Sequence, residues 1–200
     1  FEELQKASNG NIKVSCVAPE LEGAFSYIEE VSKKVKVSIA HTTADYDTAN
    51  HAFFCGASHV THLFNAMMPF GHRSPNVIGA ASDNGCVVEI ICDGIHLHPS
   101  AVRTTFRLFG KDKVVLISDS MMATGLKDGE YSLGGQAVTV VGNRATLKNG
   151  TIAGSATNLF DCMKTAVSFG VPLETALQAA TENPAKEIGE YHRMGSLTAG

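Results

Sequence analysis

Val37-Ser38-Ile39-Ala40-His41 and Val60-Thr61-His62 each carry a short β-rich run into a histidine, and 62 − 41 = 21 residues, one strand-helix unit, separate the two. Paired as neighbouring parallel strands, these runs bring two imidazoles to the same edge of a sheet. The pattern repeats downstream, where Asp93 follows a β-rich run at 87–92 and Asp119 follows Val114-Val115-Leu116-Ile117-Ser118. Four polar side chains thus fall at or just past the carboxyl ends of predicted strands. Strands alternating with helices imply parallel pairing with right-handed crossovers, in either an open doubly wound sheet or a (β/α)8 barrel. In a barrel the carboxyl ends converge on one mouth, where active sites are found. That placement favours the barrel.

Upstream, the sequence predicts a strand over 12–17 and then a helix with Leu21, Ala24, Phe25 and Ile28 on one face. A strand over 35–40 precedes a helix over 45–54 that places Tyr46, Ala49 and Phe53 together and stops at Gly56. Further strands are predicted over 58–63 and 87–92. Pro99 stands at a first helical position, Val102, Phe106 and Phe109 line one face, and Gly110 ends that helix. The fifth strand is 114–118. Between 129 and 154 the texture turns to Gly-rich alternation. There Ala137-Val138-Thr139-Val140-Val141 and Arg144-Ala145-Thr146-Leu147 flank Gly142-Asn143, predicting a β-hairpin insertion on the rim. Helices resume over 158–169, closed by Gly170, and over 172–180, before Asn183-Pro184 breaks the run.

Whole barrels take about 250 residues. Five units in 200 residues therefore predict an α/β fold that is a partial TIM barrel lacking its opening strands. The chain opens on Phe1 and closes on Gly195-Ser196-Leu197-Thr198-Ala199-Gly200 without a terminal element, so a longer parent is expected. Residues ahead of Phe1, or a partner chain, are expected to cover the open sheet edge.

A chain that is 44% hydrophobic and 18% charged has enough apolar residues for a core and is not a disordered tail. Sixteen basic against twenty acidic residues, spread along the chain, offer no broad positive surface for nucleic acid or an anionic membrane. An anionic ligand must be met locally. No apolar run approaches the roughly 18 residues of a membrane span and no leader pattern opens the chain, so a cytoplasmic setting is expected. The five cysteines lack C-x-x-C spacing and are expected to be reduced core thiols.

Eight histidines are present, of which His51, His59 and His192 are read as packed or solvated. On a continuous strand His59 and His62 would face opposite ways. His41 and His62, at one mouth, suit a divalent transition metal, with ordinary packing as the alternative. Asp119 can accept a proton from water near such a metal, or it can cap the next turn. His96-Leu97-His98 lies past a strand end and ahead of Pro99. His96 is therefore expected to reach a ligand, while His98 caps the helix or is solvated. Arg73, in the loop Pro69-Phe70-Gly71-His72-Arg73-Ser74-Pro75, either grips phosphate or is solvated.

Thr61-His62-Leu63-Phe64-Asn65-Ala66-Met67, Asp93-Gly94-Ile95-His96, Ile117-Ser118-Asp119 and Thr151-Ile152-Ala153-Gly154-Ser155, in that order, resemble the N-acetylglucosamine-6-phosphate deacetylase family of the amidohydrolase superfamily. The first string is the specific one; the others persuade in sequence. The resemblance implies a (β/α)8 barrel with a small β domain built from both chain ends. On it, residues 1–200 are the C-terminal portion of a metal-dependent barrel, about strands four to eight, with the small domain largely missing. It makes His41 and His62 metal ligands, for zinc first and iron, cobalt, manganese or nickel otherwise, and Asp119 the general base. Asn65 and Ala66 would touch the sugar phosphate, His96 would hydrogen-bond the substrate near its amide, and Ile152, Ala153 and Gly154 would line the pocket. Arg73 would reach the phosphate across the interface of a homodimer. The implied reaction removes acetate from N-acetylglucosamine 6-phosphate. The alternatives are a deacetylase for another N-acyl amino sugar phosphate and a non-catalytic sugar-phosphate binding fragment.

The family's metal site also uses a glutamate in a Leu-Glu-Gly-Pro-Phe context on an earlier strand. Leu21-Glu22-Gly23-Ala24-Phe25 imitates it, but Glu22 lies only 41 − 22 = 19 residues before His41, in a predicted surface helix. Glu22 is not taken as a ligand. Two of three protein ligands are therefore expected in this chain.

Overall fold

The computed structural model describes residues 1–197 and 199, so the tail expected to lack an element lies outside the described residues at Thr198 and Gly200. Five strands, β1 (Val14–Val17), β2 (Lys36–Ile39), β3 (His59–Val60), β4 (Val87–Ile91) and β5 (Val114–Ile117), form one parallel sheet in sequential order. Helix α1 (Glu2–Ala7) precedes them, and α2 (Ala24–Val31), α3 (Tyr46–Phe54), α4 (Asn76–Asp83) and α5 (Pro99–Phe109) make the four crossovers. A doubly wound sheet needs a reversal of strand order and helices on both faces. Here the order never reverses, and α2 packs on α3 and α3 on α4, so successive crossovers share a face. The doubly wound alternative is gone.

Register sorts the two faces of the sheet. The pairings Ile39↔Val60, Val60↔Val88, Val88↔Val114 and Ile90↔Leu116 put an unbroken apolar set on one face. That set is buried in one cluster with Ile28, Val31, Phe53, Ile78 and Val102 from the helices. Burying a side chain of this kind is worth roughly 1.5–3 kcal/mol, and the cluster supplies the main core. The opposite face pairs Cys16↔Ser38 and Ser38↔His59, with Glu89 further along β4. It is polar in its middle.

Local signals explain the helix ends. Asp45 caps α3 by accepting from Thr48 N at 2.9 Å, and Asn158 caps α6 (Leu159–Ser168) by accepting from Asp161 N at 3.0 Å. His98 caps α5 through Nδ1, 3.2 Å from Ser100 N, with Pro99 at the first helical position as expected. Gly56 follows α3 at φ 119°, and a Cβ there would lie 2.4 Å from Ser32 Oγ. No other residue fits that stop. After α6, α7 (Leu173–Ala180) and α8 (Glu182–Glu187) also pack on β5, where Asn183 donates to Lys111 O at 2.8 Å and Val114 O at 2.7 Å. The break therefore falls at Thr181, and Asn183-Pro184 opens a further short helix.

Several further expectations need correction. The strand expected over 58–63 is only two residues long, because the backbone turns left-handed at His62 (φ 36°); the parity argument between His59 and His62 does not reach His62. The hairpin insertion is a three-stranded antiparallel meander, β6 (Gly129–Leu133), β7 (Gln136–Val141) and β8 (Arg144–Leu147), with its own small core around Val138, Val140 and Ala145. Glu22 is exposed as expected, but it lies in the turn ahead of α2 rather than inside the helix. Of the cysteines, Cys55, Cys86, Cys92 and Cys162 are buried and free, whereas Cys16 is free but exposed.

His59 is packed, and it carries charge. Its Nδ1 lies 3.3 Å from Glu187 Oε1, and its Nε2 lies 3.1 Å from Glu89 Oε1, in ion-pair range but off the hydrogen-bonding angle. Lys36 Nζ adds a contact of 3.3 Å to Glu187. Burial alone would push the imidazole pKa down, but the two carboxylates more than offset it and hold it at about 9. A folded-state pKa above the ordinary histidine value stabilises the fold fully below that value, and the gain disappears as pH rises through the folded one. We expect denaturant unfolding to show stability falling by on the order of 2 kcal/mol between pH 6.5 and pH 10. Glu187→Gln should flatten that slope; an unaltered slope would assign it to other groups.

Candidate active site

β2 and β3 end in register, Ile39 opposite Val60, and each chain takes two more residues to reach its histidine: 39 + 2 = 41 and 60 + 2 = 62. At both positions the backbone adopts positive φ, 47° at His41 and 36° at His62. The rings meet edge to face with centroids 4.6 Å apart and an interplanar angle of 87°. Nε2 of one lies 2.9 Å from Nε2 of the other. His41 is exposed and His62 is 5% exposed.

The loop after His62 is tied to the loop after His41. Thr42 N donates to Ala66 O at 3.0 Å, and Thr42 and Met67 form a parallel bridge. Asn65 Nδ2 donates to His62 O and Leu63 O, both at 3.3 Å, so Asn65 holds the turn and stands beside the histidine. Glu20 secures the other loop by accepting from the Thr42 hydroxyl and, at 2.6 Å, from Thr43 N. Burial is the largest single influence on the Glu20 pKa and raises it, but these donors together outweigh it and hold the carboxyl below its usual value. Glu20 was not singled out by the sequence. Nothing in Ala18-Pro19-Glu20 announces that it will brace a neighbouring strand end.

β4 and β5 deliver their own polar residues at the same edge, again two residues past the strand: 91 + 2 = 93 and 117 + 2 = 119. Asp93 is buried and bonded to His96, Nδ1 to Oδ2 at 2.7 Å. Asp119 is exposed with φ 48°. Its main chain does the local structural work, accepting from Ser155 N at 2.9 Å, while the Ser155 hydroxyl donates to Ser118 O and Ser155 O accepts from Met121 N at 2.8 Å. Capping by the Asp119 carboxylate does not account for the loop.

The segment expected to line a pocket connects the small sheet to this edge. Ile152 bridges Thr146, Ala153 is buried in the small sheet's core and donates to Ala145 O at 3.0 Å, and Gly154 sits at φ 51°. A Cβ on Gly154 would lie 3.5 Å from Asp119 O, so the segment runs directly behind Asp119. Arg73 stands at the exposed tip of a tight turn. There Gly71 N donates to Ser74 O at 3.0 Å and Ser74 N to Gly71 O at 3.2 Å.

Seven residues other than glycine have positive φ among the described residues, and five of them, His41, His62, Phe64, Ala66 and Asp119, lie at this edge. Each left-handed residue of this kind costs roughly 1–2 kcal/mol. Strain gathered at one place points to function.

The histidine pair also fits a cation. Two ligands of a tetrahedral zinc at about 2.0–2.1 Å stand roughly 3.3 Å apart, close to the observed nitrogen spacing. His62 Nδ1, the ring nitrogen that does not face His41, is buried with no partner among the described residues. No group of three or more His, Cys, Asp or Glu gathers to hold a metal among the described residues.

The strained turns and paired imidazoles lie at the carboxyl edge of a parallel α/β sheet, the place where α/β hydrolytic enzymes carry their sites. The amidohydrolase family model matches residues 7–200, and the chain belongs to that family. It is 43% identical over 203 residues to N-acetylglucosamine-6-phosphate deacetylase of Bacillus subtilis (strain 168), covering 100% of this chain and 51% of the relative. The crystal structure of N-acetylglucosamine-6-phosphate deacetylase from Pasteurella multocida superposes with a TM-score of 0.92 at 32% identity, covering 100% of this chain and 53% of that one. A Mycobacterium smegmatis mutant of the same enzyme, in complex with N-acetyl-D-glucosamine-6-phosphate, gives a TM-score of 0.90 at 34% identity, covering 94% of this chain and 51% of that one. The chain spans about half the length of the curated relatives it matches.

Ala66 isolates the cost of the strained edge, because its side chain is an exposed methyl. Ala66→Gly should stabilise the protein by up to about 1 kcal/mol, the relief of left-handed strain less the larger entropy of the unfolded glycine chain. Chemical denaturation reads this directly. Destabilisation would show that the loop is not strained at Ala66.

Proposed function

We propose that this chain is the part of an N-acetylglucosamine-6-phosphate deacetylase that carries two metal-ligating histidines, the general base and most of the sugar-phosphate contacts. The observation that carries the reading is the pair of imidazole Nε2 atoms 2.9 Å apart at the carboxyl edge of the sheet. The five sequential strands serve as about strands four to eight of a (β/α)8 barrel, with the polar face of the sheet turned inward. The third metal ligand, a glutamate, comes from a preceding strand outside this chain.

His41 and His62 hold a divalent cation, zinc first and iron, cobalt, manganese or nickel otherwise. When bound, such a cation polarises the substrate's amide carbonyl and lowers the pKa of water towards neutrality. Asp119 accepts a proton from the attacking water. It returns that proton to the nitrogen as the C–N bond breaks, so acetate and a free amine leave, and the amine avoids departing as an anion. His96 donates a hydrogen bond to the carbonyl oxygen as negative charge gathers there. Asn65 and Ala66 position the sugar, with Ile152, Ala153 and Gly154 behind it. Arg73, at the exposed tip of its turn, reaches the phosphate of the neighbouring subunit's site in a homodimer. A cytoplasmic setting accompanies this reading, since all five cysteines are free and no described helix is long and apolar enough to cross a membrane.

In the intact protein, metal analysis and acetate release test these roles together. Asp119→Asn should abolish turnover with the metal retained, whereas His62→Ala should lose the metal. Near-normal turnover in Asp119→Asn would remove Asp119 as the base, and an intact protein without bound metal or acetate release would overturn the reading. Arg73→Ala should raise the KM for the phosphorylated sugar with little effect on kcat; an unchanged KM would release Arg73 from the phosphate. A higher kcat/KM for a different N-acyl amino sugar phosphate would reassign the sugar.

A further inference from the structure

The Asp93-Gly94-Ile95-His96 turn is built around one carboxylate. The Asp93 side chain has no solvent exposure, 0%, and that of His96 has 7%. Asp93 Oδ1 accepts from Ile95 N and from His96 N, each at 2.9 Å, and Oδ2 contacts His96 Nδ1 at 2.7 Å. Burial pushes the Asp93 pKa up, but the His96 ring and the two amides more than offset this and hold it below the ordinary value. Asp93 is therefore ionised at neutral pH. An ionised carboxylate can only accept, so the shared proton belongs to His96 Nδ1.

Among the described residues Asp93 makes no ion pair other than the one with His96. Cys92 and Cys162, the titratable neighbours of Asp93, have thiols pushed by burial to about 12 and remain neutral. Beside Gly94, α6 and its end contribute Thr165 and the Phe169 ring. His96 Nε2, on the far side of the imidazole, has no partner among the described residues and is not among the fully buried unpaired atoms. One ring nitrogen is committed to the protein and the other is free for a ligand.

We propose that Asp93 is the positioning residue for His96: it fixes the ring with Nδ1 protonated and turned inward, and presents Nε2 to the substrate edge. With the Nδ1 proton fixed, Nε2 accepts from a substrate donor, and it becomes a charge-assisted donor to a developing oxyanion only once it takes a proton of its own. The pair stands on its own geometry; what the donor acts on rests on the deacetylase reading. The arrangement has the logic of an aspartate that orients a catalytic histidine and stabilises its charged form.

Asp93→Asn separates position from charge. The asparagine Oδ1 still accepts from the two amides, so the turn persists, while the Nδ2 group replaces the acceptor facing Nδ1 with a donor. Nitrogen-15 NMR of histidine-labelled intact protein reads the tautomer of His96, assigned by its loss in His96→Gln. In the unsubstituted protein Nδ1 should carry the proton. In Asp93→Asn the neutral ring should carry it on Nε2. For kcat on the phosphorylated sugar, the expected loss is about 10-fold or more, smaller than the 100- to 1,000-fold typical of removing an oxyanion donor. KM should change little.

A neutral Nε2–H tautomer in the unsubstituted protein overturns the inference, whether or not the variant folds. So does an unchanged tautomer in Asp93→Asn. A switched tautomer with unchanged kcat overturns the catalytic half. If the unsubstituted protein releases no acetate while its NMR spectra behave as expected, the deacetylase reading fails and the Asp93–His96 pair stands.

Discussion

The register of a parallel ladder is the constraint on which the site depends. Ile39 opposite Val60 sets where two adjacent strands stop, and two further residues on each bring the imidazoles into contact. Side chains alternate faces along a strand, so a slip of one residue would send the apolar set to the polar face. The same pairing that buries Val37, Ile39 and Val60 against the helices thus aims His41 and His62 at each other. Core and site share one cause.

The ladder's end is also where stability is given up. Left-handed backbone at His41, His62, Phe64, Ala66 and Asp119 is costly for residues with a Cβ. It is held in place by bonds made between neighbouring strand ends: Thr42 N to Ala66 O, Leu63 N to Glu89 O and Ser155 N to Asp119 O. Each bond joins the loop of one strand to a segment from another, so no loop can relax alone. The polar middle of the sheet adds a second brace, with His59 held by Glu89 and Glu187 so that β3, β4 and α8 are joined.

Much of this was legible in the sequence, and the reasons are local. Short β-rich runs, four of them ending at or just before polar residues, gave all five strands of the main sheet, and capping residues such as Asp45, Pro99, Gly110 and Asn158 marked helix ends. The two histidines came from spacing alone. What escaped depended on partners far along the chain. Nothing near His59 shows that Glu187, 187 − 59 = 128 residues on, will hold it charged. The length of β3 was overestimated because β-rich Val60-Thr61 continues the pattern, whereas tertiary bonds turn the chain at His62. The third strand of the meander was hidden because Gly129-Glu130-Tyr131-Ser132-Leu133 owes its pairing to β7 more than to its own propensity.

A site at the carboxyl edge of a parallel sheet is assembled from loops, so its precision depends on how firmly each loop is held. Three of the polar residues here are held by different devices: His62 by its strained turn, Asp119 by a backbone pair with Ser155, and His96 by a buried carboxylate. The last differs in kind, because Asp93 fixes a proton as well as a position. Hydrolysis of an amide needs charge to be met at the carbonyl oxygen when it forms, and a donor oriented beforehand avoids the reorganisation that water would require. Burying Asp93 is costly unless its bonds are satisfied. The three hydrogen bonds it accepts make that burial sustainable, and they leave His96 with one free nitrogen facing away from the core.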